Sequence, residues 1–382
     1  MRKTLLVTSQ FPPSFGGVET YLFNLAKRLD PSRFLVLADK QTGDAAFDKK
    51  QRYRTIRSEF LYPSRWIWPQ WLPLLKKTKQ LVKQEKIEHI LAGQVLPVGT
   101  AAMITAQTFD IGYSVFTYAL DIELPQRNPR HLRTMKKVLD NATKIFTISD
   151  DTKARIIRLG LPEKKIIKIT PGLDLADFLP PSETILNISR RLQSQYDLRG
   201  KKIILTIGRL VARKGQDTVI KALPAILKDE PLAHYVIAGD GPYKNQLKEL
   251  VRQLKVSPYV TFTGKFAEAE KAAWYNLGDV FAMVSRVENQ LDIEGFGIVY
   301  LEANALEKPV VAGKSGGVAD AVVDQKTGLL VQNPSDIDET ADVILKLLRD
   351  VDLAQRLGRA GRKRVISDFN WDSLAKRLNS YL

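Results

Sequence analysis

The sequence predicts an α/β protein with two doubly wound domains, because one pattern occurs twice along the chain. In each copy a short apolar run, typical of a buried strand, leads into a glycine-containing loop and then into a segment with helical periodicity. The two copies begin at residues 3–9 and 203–207. Strand, glycine loop and amphipathic helix in this order open a doubly wound domain. A chain of 382 residues is long enough for two domains, each with its own core.

Four segments are expected from the alternation of strands and helices. Strand-like runs recur until shortly before residue 172, so the first domain is expected at residues 1–172. Residues 173–200 are mostly polar and contain two adjacent prolines, which indicates a linker followed by a first helix. Strands and helices alternate again over residues 201–365, the expected second domain, and residues 366–382 are expected to form a terminal helix.

The composition excludes several kinds of protein. Cysteine is absent, which excludes disulfides, thiolate metal sites and cysteine nucleophiles and fits a cytoplasmic enzyme. The three histidines are not spaced as ligands on one helix, so a histidine-rich metal site is not expected. The apolar runs are too short for a membrane-spanning helix, and the N-terminal one resembles a strand rather than a secretory signal.

The formal net charge of +16 is concentrated in the first half of the chain. Residues 1–172 contain 29 Lys and Arg against 15 Asp and Glu, a net +14, whereas the remainder contains 29 against 27, a net +2. A basic domain joined to a nearly neutral one indicates two surfaces with different partners.

Residues 49–86 combine positive charge with tryptophan: they contain eleven Lys and Arg, two Glu and three of the five tryptophans. Tryptophan beside lysine on an amphipathic helix is typical of contact with an anionic membrane surface. A helix with its apolar face in the core and a solvated basic face is the alternative. No nucleic-acid-binding pattern is present, so nucleic acid is not an expected partner. The candidate residues for membrane or acceptor contact are Trp66, Trp68, Trp71, Lys76 and Lys77.

Two glutamates eight positions apart, Glu294 and Glu302, flank a glycine-phenylalanine-glycine triplet and an apolar run. Glycines leave backbone N–H groups open, and the first turn of a helix has N–H donors without partners, so this stretch can bind hydroxyls and anions. One carboxylate can hold each end of an elongated polyhydroxyl ligand. A surface helix with an acidic first turn is the alternative.

Two further loops are suited to a phosphate-bearing ligand. Arg209 can bind two phosphate oxygens at once and Lys214 adds a compact charge, so this glycine-flanked pair is suited to bridging phosphate oxygens, unless it is only a solvated charge pair. In the first domain, Gly16 and Gly17 either let the backbone approach a ligand at a helix start or form only a tight turn. The second-domain loop lacks the spacing of a P-loop, and the first-domain loop lacks the dinucleotide-binding fingerprint.

Six motifs follow one another in register over nearly the whole chain. In chain order they are FPP…GGVE at residues 11–19, GR…KG at 208–215, GDGP at 239–242, EGFG…EA at 294–303, PVVA…GG at 309–317 and TGLLV at 327–331. Together they resemble the retaining GT-B glycosyltransferases of family 4. The insertion at residues 287–293 resembles that of mannosyltransferases acting on phosphatidylinositol mannosides and of related sugar–lipid enzymes.

The resemblance implies two Rossmann-like domains that face each other across a cleft, with the donor in the C-terminal domain and the acceptor in the N-terminal one. The terminal helix is expected to cross back to the N-terminal domain. The implied reaction is retaining transfer of a hexose from a nucleoside-diphosphate sugar, UDP-glucose or GDP-mannose, to a lipid-linked or glycan acceptor in polysaccharide or glycolipid biosynthesis. No metal or other cofactor is implied, and the expected location is the cytoplasm, peripheral at the inner face of the membrane.

The resemblance also assigns roles to motif residues. Arg209 and Lys214 are expected to neutralise the diphosphate, Glu294 to hold the donor sugar and catalyse its transfer, and Glu302 to accept hydrogen bonds from the ribose hydroxyls. Lys265 is expected near the base. The expected donor-binding residues are Gly16, Gly17, Arg209, Lys214, Gly239, Lys265, Glu294, Gly295, Phe296, Gly297, Ile298 and Glu302.

One stretch departs from the family pattern. Where many relatives have histidine and glycine shortly before an acid, this chain has Tyr118 and, three positions later, Asp121, which complete the candidate catalytic set. Tyr118 can hydrogen-bond a sugar hydroxyl but cannot carry a positive charge near the diphosphate. Asp121 is either an acceptor-side group or a helix cap. Two other functions stay open, a nucleotide-sugar epimerase of related fold and a nucleotide-sugar-binding subunit with weak catalysis.

Overall fold

The protein is represented by a computed structural model that describes residues 1–14, 16–62, 68–178, 182–289 and 292–382. The chain divides into two compact units, the first formed by Met1–Gly172 and Trp371–Leu382 and the second by Leu173–Asn370. The C-terminal segment thus belongs to the first unit, and residues 173–200 belong to the second.

Parallel strands form the framework of both units. The strands of the first unit are β1 (Thr4–Thr8), β2 (Phe34–Asp39), β3 (Arg54–Ser58), β4 (His89–Ala92), β5 (Gly112–Thr117), β6 (Lys144–Thr147) and β7 (Ile166–Lys168). Those of the second unit are β8 (Lys202–Ile207), β9 (Ala233–Ala238), β10 (Val260–Gly264), β11 (Val280–Met283), β12 (Val310–Gly313) and β13 (Leu329–Val331).

Helices connect these strands. In chain order they are α1 (Gly17–Ala26), α2 (Asp44–Asp48), α3 (Leu72–Glu85), α4 (Thr100–Phe109), α5 (Leu120–Glu123), α6 (Pro129–Asn141), α7 (Asp150–Arg158), α8 (Glu183–Gln195), α9 (Gln216–Asp229), α10 (Lys244–Gln253), α11 (Lys271–Leu277), α12 (Ile298–Ala305), α13 (Val318–Ala321), α14 (Ile337–Arg349), α15 (Val351–Asp368) and α16 (Trp371–Asn379). Short helical turns lie at Val95–Gly99, Leu124–Arg127, Glu163–Lys165, Leu175–Phe178, Ala212–Lys214, Ser257–Tyr259 and Glu268–Glu270.

Both sheets have the strand order of a doubly wound domain. Among the described residues the orders are β3-β2-β1-β4-β5-β6-β7 and β10-β9-β8-β11-β12-β13, with parallel pairing throughout. The order reverses between β1 and β4 in one sheet and between β8 and β11 in the other. Loops at the carboxyl ends of the strands beside such a switch point form a crevice for ligands. The predicted fold class, α/β with two Rossmann-like domains, is confirmed.

The sequence prediction lacks β2 and β3. Strand β3 lies at the edge of the described sheet, beside β2, and its residues are half-buried or exposed. An edge strand with arginine at two of its five positions has a weak hydrophobic pattern, so periodicity does not detect it.

Helix α3 has its apolar face in the core of the first unit. Leu74, Leu81 and Val82 are buried in the same cluster as residues of the sheet, and the hydroxyl of Thr78, also buried, donates to the Leu74 carbonyl at 2.8 Å. The structure therefore supports the core-facing alternative for this helix. Throughout the described ranges, every helix is too short or too polar to cross a membrane.

Helix α12, which carries Glu302, is packed closely against α15 through two glycines. A β-carbon at Gly358 would overlap the backbone carbonyl of Glu307, and one at Gly361 would overlap the side chain of Asn304. The Asn304 amide donates to two backbone carbonyls at 3.2 and 3.1 Å and so cannot easily move aside. This packing fixes the position of α12.

Gly358→Ala is expected to lower the free energy of unfolding by about 1–3 kcal/mol, because the added β-carbon overlaps backbone rather than a flexible side chain. Helix propensity alone would favour alanine by about 1 kcal/mol, so the sign of the change separates packing from propensity. Denaturant unfolding measures it. Arg359→Ala, at the next and exposed position, is the control and should change stability by less than about 0.5 kcal/mol. Equal or higher stability of Gly358→Ala contradicts this account.

Candidate active site

Three loops meet at the carboxyl edge of the second sheet, beside its switch point. Strand β8 leads into residues 208–215, β11 into residues 284–297 and β12 into residues 314–317, and the three strands are neighbours. A β-carbon at Gly215 would overlap the carbonyl of Val284, so the first two loops touch through backbone. Gly215 also has φ +71°, which glycine adopts without strain.

Glu294 lies in the loop after β11, immediately before α12. Gly297 is the N-cap residue of α12, with φ +88°, and the helix begins at Ile298, as the glycine pattern predicts. The loop after β12 packs on the Glu294 backbone: the Gly317 N–H donates to its carbonyl at 3.0 Å, and a β-carbon at Gly316 would overlap the same carbonyl. The backbone of Glu294 is therefore fixed by the neighbouring loop.

The carboxylate of Glu294 is buried and shared by two cations. The residue is 8% exposed, and its Oε2 accepts from Lys214 Nζ at 2.5 Å and from Arg213 Nη1 at 2.9 Å. Burial raises the pKa of Glu294, but Lys214 and Arg213 outweigh it and hold that pKa below its usual value. The sequence pairs Lys214 with Arg209, whereas the structure places Arg213 beside it on the carboxylate.

Arg213 also connects Glu294 to the bridged pair Glu288 and Asp292. Its Nε lies 2.8 Å from Asp292 Oδ1, and Asp292 and Glu288 exchange two backbone hydrogen bonds of 2.9 and 3.0 Å. Arg286 Nε lies 2.6 Å from a Glu288 carboxylate oxygen, and the Arg286 N–H donates to the Arg213 carbonyl at 2.9 Å. The insertion predicted from residues 287–293 is thus tied to the turn that carries Arg213.

Three other predicted donor-binding residues follow strands of the same sheet. Arg209 and Lys265 are exposed, and in the described ranges the Arg209 side chain has no hydrogen-bond or ion-pair partner. Gly239 has φ +139°, and a β-carbon there would overlap the Gly208 carbonyl. Glycine at this position therefore has a packing reason, the close approach of the loops after β8 and β9, that is independent of any ligand.

Glu302 has a separate protein donor for each carboxylate oxygen. The Tyr275 hydroxyl donates to Oε2 at 2.6 Å, and Lys271 Nζ lies 3.2 Å from Oε1. Burial and the nearby Glu302 charge raise the pKa of Tyr275. Burial lowers the pKa of Lys271, but Glu302 and Glu268 outweigh it and the pKa is raised. Helix α11, which carries both donors, therefore positions Glu302 and neutralises its charge.

In the first unit, Gly16 and Gly17 stand at the start of α1. Gly16 is the N-cap residue, and no side chain caps the helix there in the part of the chain that the structure describes. A β-carbon at Gly17 would meet no described atom within 4 Å. The described part of the first turn of α1 thus lacks a side-chain cap on its backbone donors, and the Glu19 carboxylate lies beside Gly16 at this helix start.

Tyr118 and Asp121 lie together after β5. The Tyr118 N–H donates to Asp121 Oδ1 at 2.7 Å, while the Tyr118 hydroxyl and Asp121 Oδ2 are buried with no hydrogen-bond partner among the described residues. Burial raises the pKa of Asp121 to about 7, although backbone hydrogen bonds oppose the shift. Asp121 Oδ1 therefore accepts a hydrogen bond from a nearby backbone N–H, as a helix cap does. Oδ2 remains available to another hydrogen-bond donor.

The tryptophan–lysine segment is described only in part, since Trp66 lies outside the described residues. Trp68 is 87% exposed. Trp71, which directly precedes α3, is half-buried, as is Lys77, and Lys76 is exposed. Among the described candidates, Trp68 and Lys76 are therefore the two that are exposed.

The residues that sequence reasoning missed are Arg213, Lys271 and Tyr275. Arg213 directly precedes Lys214, so the sequence already showed a second cation beside the predicted one, and this pair could have identified Arg213. Lys271 and Tyr275 are four positions apart on one helix, but no sequence pattern links that helix to Glu302, which is 27 positions from Tyr275.

The described residues contain no cluster of three or more His, Asp and Glu side chains arranged to hold a metal ion. The switch point of the second sheet instead combines cations, a buried carboxylate and a glycine-opened helix start. Two Rossmann-like domains with this site define a glycosyltransferase of GT-B fold.

Comparison with known proteins agrees with this class. Residues 15–177 match the pattern of Glycosyltransferase Family 4, and residues 190–364 match that of Glycosyl transferases group 1. The chain is 34% identical to the GDP-mannose-dependent alpha-(1-6)-phosphatidylinositol monomannoside mannosyltransferase of Mycobacterium tuberculosis, covering 100% of this chain and 98% of that protein. It is 30% identical to the monoacylated phosphatidylinositol monomannoside mannosyltransferase of Corynebacterium glutamicum, with the same coverage. The chain therefore belongs to glycosyltransferase family 4.

Solved structures support the fold. Anabaena HepE in complex with UDP superimposes with a TM-score of 0.84 at 21% identity, covering 100% of this chain and 99% of that one. Sucrose-phosphate synthase from Thermosynechococcus elongatus superimposes with a TM-score of 0.77 at 24% identity, covering 99% and 97%.

Asp121→Asn is expected to stabilise the protein above pH 7, by about 1–3 kcal/mol, and progressively less as the pH falls. Folding raises the pKa of this carboxyl from 3.8 to about 7, so the folded wild type opposes ionisation and loses stability as the pH rises through that range. Asparagine keeps the acceptor for the Tyr118 N–H without a charge. Urea unfolding at several pH values measures the difference.

Tyr118→Phe is the control for this experiment, because it leaves the Asp121 carboxyl in place and should keep the wild-type pH dependence. A stability gain of Asp121→Asn that is the same below pH 4 and above pH 7 contradicts the prediction.

Proposed function

We propose that this glycosyltransferase is a retaining mannosyltransferase that transfers mannose from GDP-mannose to a phosphatidylinositol-type glycolipid. The structural observation that carries the proposal is the buried Glu294 carboxylate beside Lys214 and Arg213 at the switch point of the second sheet. GDP-mannose is favoured over UDP-glucose because the relatives named for it span the whole chain at 30–34% identity. The UDP-bound structure shares only 21%.

The donor diphosphate is proposed to bind between Lys214 and Arg209. Lys214 is a compact charge on a flexible stem, and Arg209 is an exposed guanidinium without a partner among the described residues, so it can close on two phosphate oxygens. The same cations neutralise the charge that develops as the diphosphate leaves, which is the charge a bound metal ion would otherwise balance. The transfer is therefore proposed to need no metal and no other cofactor.

The two glutamates are proposed to hold the two ends of the donor. Glu294, with the open N–H groups of the glycine turn that follows it, binds the hydroxyls of the mannosyl group. Glu302 accepts from ribose hydroxyls; each of its oxygens has one protein donor and keeps a further lone pair for the ligand. Lys265 and Gly239, in the loops after β10 and β9, are proposed to lie near the nucleoside.

The proposed chemistry keeps the donor's anomeric configuration. The acceptor hydroxyl oxygen forms a bond to the anomeric carbon on the face from which the diphosphate departs, and the bond between that carbon and the phosphate oxygen breaks. The hydroxyl proton passes to the departing phosphate oxygen. No protein nucleophile is needed, so the protein contributes positioning and electrostatic stabilisation.

The first unit is proposed to supply groups for the acceptor. The Tyr118 hydroxyl and Asp121 Oδ2 are buried polar atoms that have no hydrogen-bond partner in the part of the chain that the structure describes, and a buried polar group left unpaired is costly. Acceptor hydroxyls would satisfy both. Tyr118 is proposed to position a hydroxyl by hydrogen bonding, because it cannot supply the charge of the histidine found in many relatives.

A lipid-linked acceptor is proposed to bring the first unit to the inner face of the membrane. Trp68 and Leu61 expose apolar surface, and Lys76 lies at the start of a helix whose exposed face is basic. Leu61 also lines an open pocket of about 380 Å³, together with Lys40 and Lys77. Exposed aromatic and basic side chains together bind anionic lipid surfaces.

GDP-mannose is expected to raise the melting temperature of the purified protein more than UDP-glucose, GDP-glucose or UDP-galactose, because a ligand that binds only the native state stabilises it. With phosphatidylinositol monomannoside as acceptor, Lys214→Ala should lower kcat/KM by at least about 100-fold, since it removes a cation that stabilises the leaving group. Released GDP and the mannosylated lipid are measured together. Lys248→Ala, an exposed lysine of α10, is the control.

The outcomes separate the alternatives. Wild-type turnover in Lys214→Ala and Glu294→Ala contradicts the assignment of the site. Conversion of the donor without acceptor indicates an epimerase, and stabilisation by a nucleotide sugar without any turnover indicates a binding subunit. A preference for UDP-glucose in both the melting and the turnover assay identifies UDP-glucose, and not GDP-mannose, as the donor.

Trp68→Ala combined with Lys76→Gln is expected to weaken binding to anionic vesicles, by about fivefold for the lost lysine alone, since each basic residue near such a surface contributes about 1 kcal/mol. Co-sedimentation with phosphatidylglycerol vesicles measures it. Leu232→Ala combined with Lys326→Gln removes an exposed apolar and an exposed basic side chain from the second unit and is the matched control. Equal loss in both double variants contradicts a specific surface.

A further inference from the structure

The two cations on Glu294 are held differently. Lys214 is 9% exposed, and its ammonium has one partner in the described ranges, Glu294 Oε2 at 2.5 Å. Arg213 contacts the same oxygen through Nη1 at 2.9 Å and at the same time places its Nε 2.8 Å from Asp292. Arg213 is therefore anchored by carboxylates on two sides, whereas Lys214 is anchored by one.

We propose that donor binding moves Lys214 from Glu294 to the diphosphate, and that Arg213 is the positioning residue that keeps Glu294 ionised and in place during this exchange. The inference rests on the proposed donor site and assigns a role to a residue outside the six motifs. It also explains why two cations share one carboxylate oxygen: one is recruited by the ligand and the other stays.

The side-chain chemistry favours this division of roles. A lysine ammonium is a compact charge on a stem with four rotatable bonds, so it can turn from one anion to another at small cost. An arginine guanidinium binds two acceptors in a fixed fork, and here both positions are used by Asp292 and Glu294. Releasing Arg213 would break contacts with two carboxylates and take the cation from Asp292, while releasing Lys214 breaks one contact and leaves Glu294 with Arg213.

Charge balance in the buried site requires that Glu294 keep one cationic partner when the donor binds. The donor brings a diphosphate with two negative charges close to Glu294. If Glu294 lost both cations, burial alone would act on its carboxylate and favour the protonated form. A protonated Glu294 has one acceptor oxygen fewer for the hydroxyls of the sugar, so transfer would slow.

The groups that face Glu294 from other elements do not replace Arg213. The hydroxyl of Tyr300, on α12, donates to the Met283 carbonyl at 2.8 Å. The loop after β12 contributes the Gly317 N–H, which binds the Glu294 backbone carbonyl and leaves the carboxylate untouched. Among the described residues, the cations bonded to the carboxylate of Glu294 are Lys214 and Arg213, and both hold its pKa below the usual value against burial.

Proton uptake on donor binding tests the proposal without requiring transfer. GDP-mannose has a diphosphate diester that does not titrate near pH 6, so any proton taken up from the buffer binds to a group of the protein. Titration calorimetry in two buffers of different ionisation enthalpy measures this number. Wild type should take up close to zero protons, Arg213→Gln up to about one, and Arg213→Gln combined with Glu294→Gln close to zero again.

Activity gives a second readout that a merely structural role would not produce. In Arg213→Gln, the acid limb of the kcat–pH profile should move up by about one unit or more, with a smaller change in KM. Arg213→Lys should restore most of the wild-type profile, because it returns a cation to the site. Asp292→Asn, which removes the second anchor but leaves both cations, should shift the limb less than Arg213→Gln.

Arg252→Gln, an exposed arginine of α10, is the control and should match wild type in both assays. Wild-type proton uptake in an Arg213→Gln protein that binds GDP-mannose overturns the proposal, as does uptake that persists in the double variant. A melting curve without ligand shows whether Arg213→Gln still folds. If it does not fold, Arg213→Lys and Asp292→Asn replace it as the test. Acid limbs of the kcat–pH profile that match wild type in both of these variants then overturn the proposal. Failure of the wild-type protein to bind any nucleotide sugar overturns the proposed function itself.

Discussion

A buried carboxylate held by two adjacent cations joins the loops at the carboxyl edge of the second sheet. Glu294 comes from the loop after β11 and Lys214 and Arg213 from the turn after β8, while the loop after β12 holds the Glu294 backbone through Gly317. A carboxylate taken out of water without a partner is very costly, so these loops adopt their positions only together with the cations. The local fold and the candidate site depend on the same contacts.

The second carboxylate of the candidate site, that of Glu302, is also buried and also has protein partners, but different ones. Glu302 is buried inside α12 and receives one donor from Tyr275 and one from Lys271, both on α11. Glycines of α15 fix α12 from its other side. By contrast, Arg209 and Lys265 are exposed. The two carboxylates are thus fixed by protein partners, whereas the side chains of Arg209 and Lys265 extend into solvent.

Some features follow directly from the sequence because they are local. The apolar runs of β1 and β8 are buried on both faces, and the glycine at the start of α12 has the left-handed conformation that the pattern requires. The Ser149 side chain caps α7, which is what a serine followed by two acidic residues predicts. The edge strand β3 was missed because its alternation is weak, and α3 was left ambiguous because one amphipathic pattern fits either a core or a lipid surface.

The sequence by itself determined the two-domain α/β class and the family, and it singled out Glu294, Glu302 and Lys214 as candidate site residues, since short-range patterns and ordered motifs encode them. Only the tertiary structure decided which residues are partners. Arg213 rather than Arg209 reaches Glu294, Lys271 and Tyr275 reach Glu302, and one oxygen of Asp121 has no partner among the residues that the structure describes. These pairings join residues tens of positions apart, because parallel strands bring the loops at their carboxyl ends to one edge of the sheet, and no local pattern records which side chains meet there.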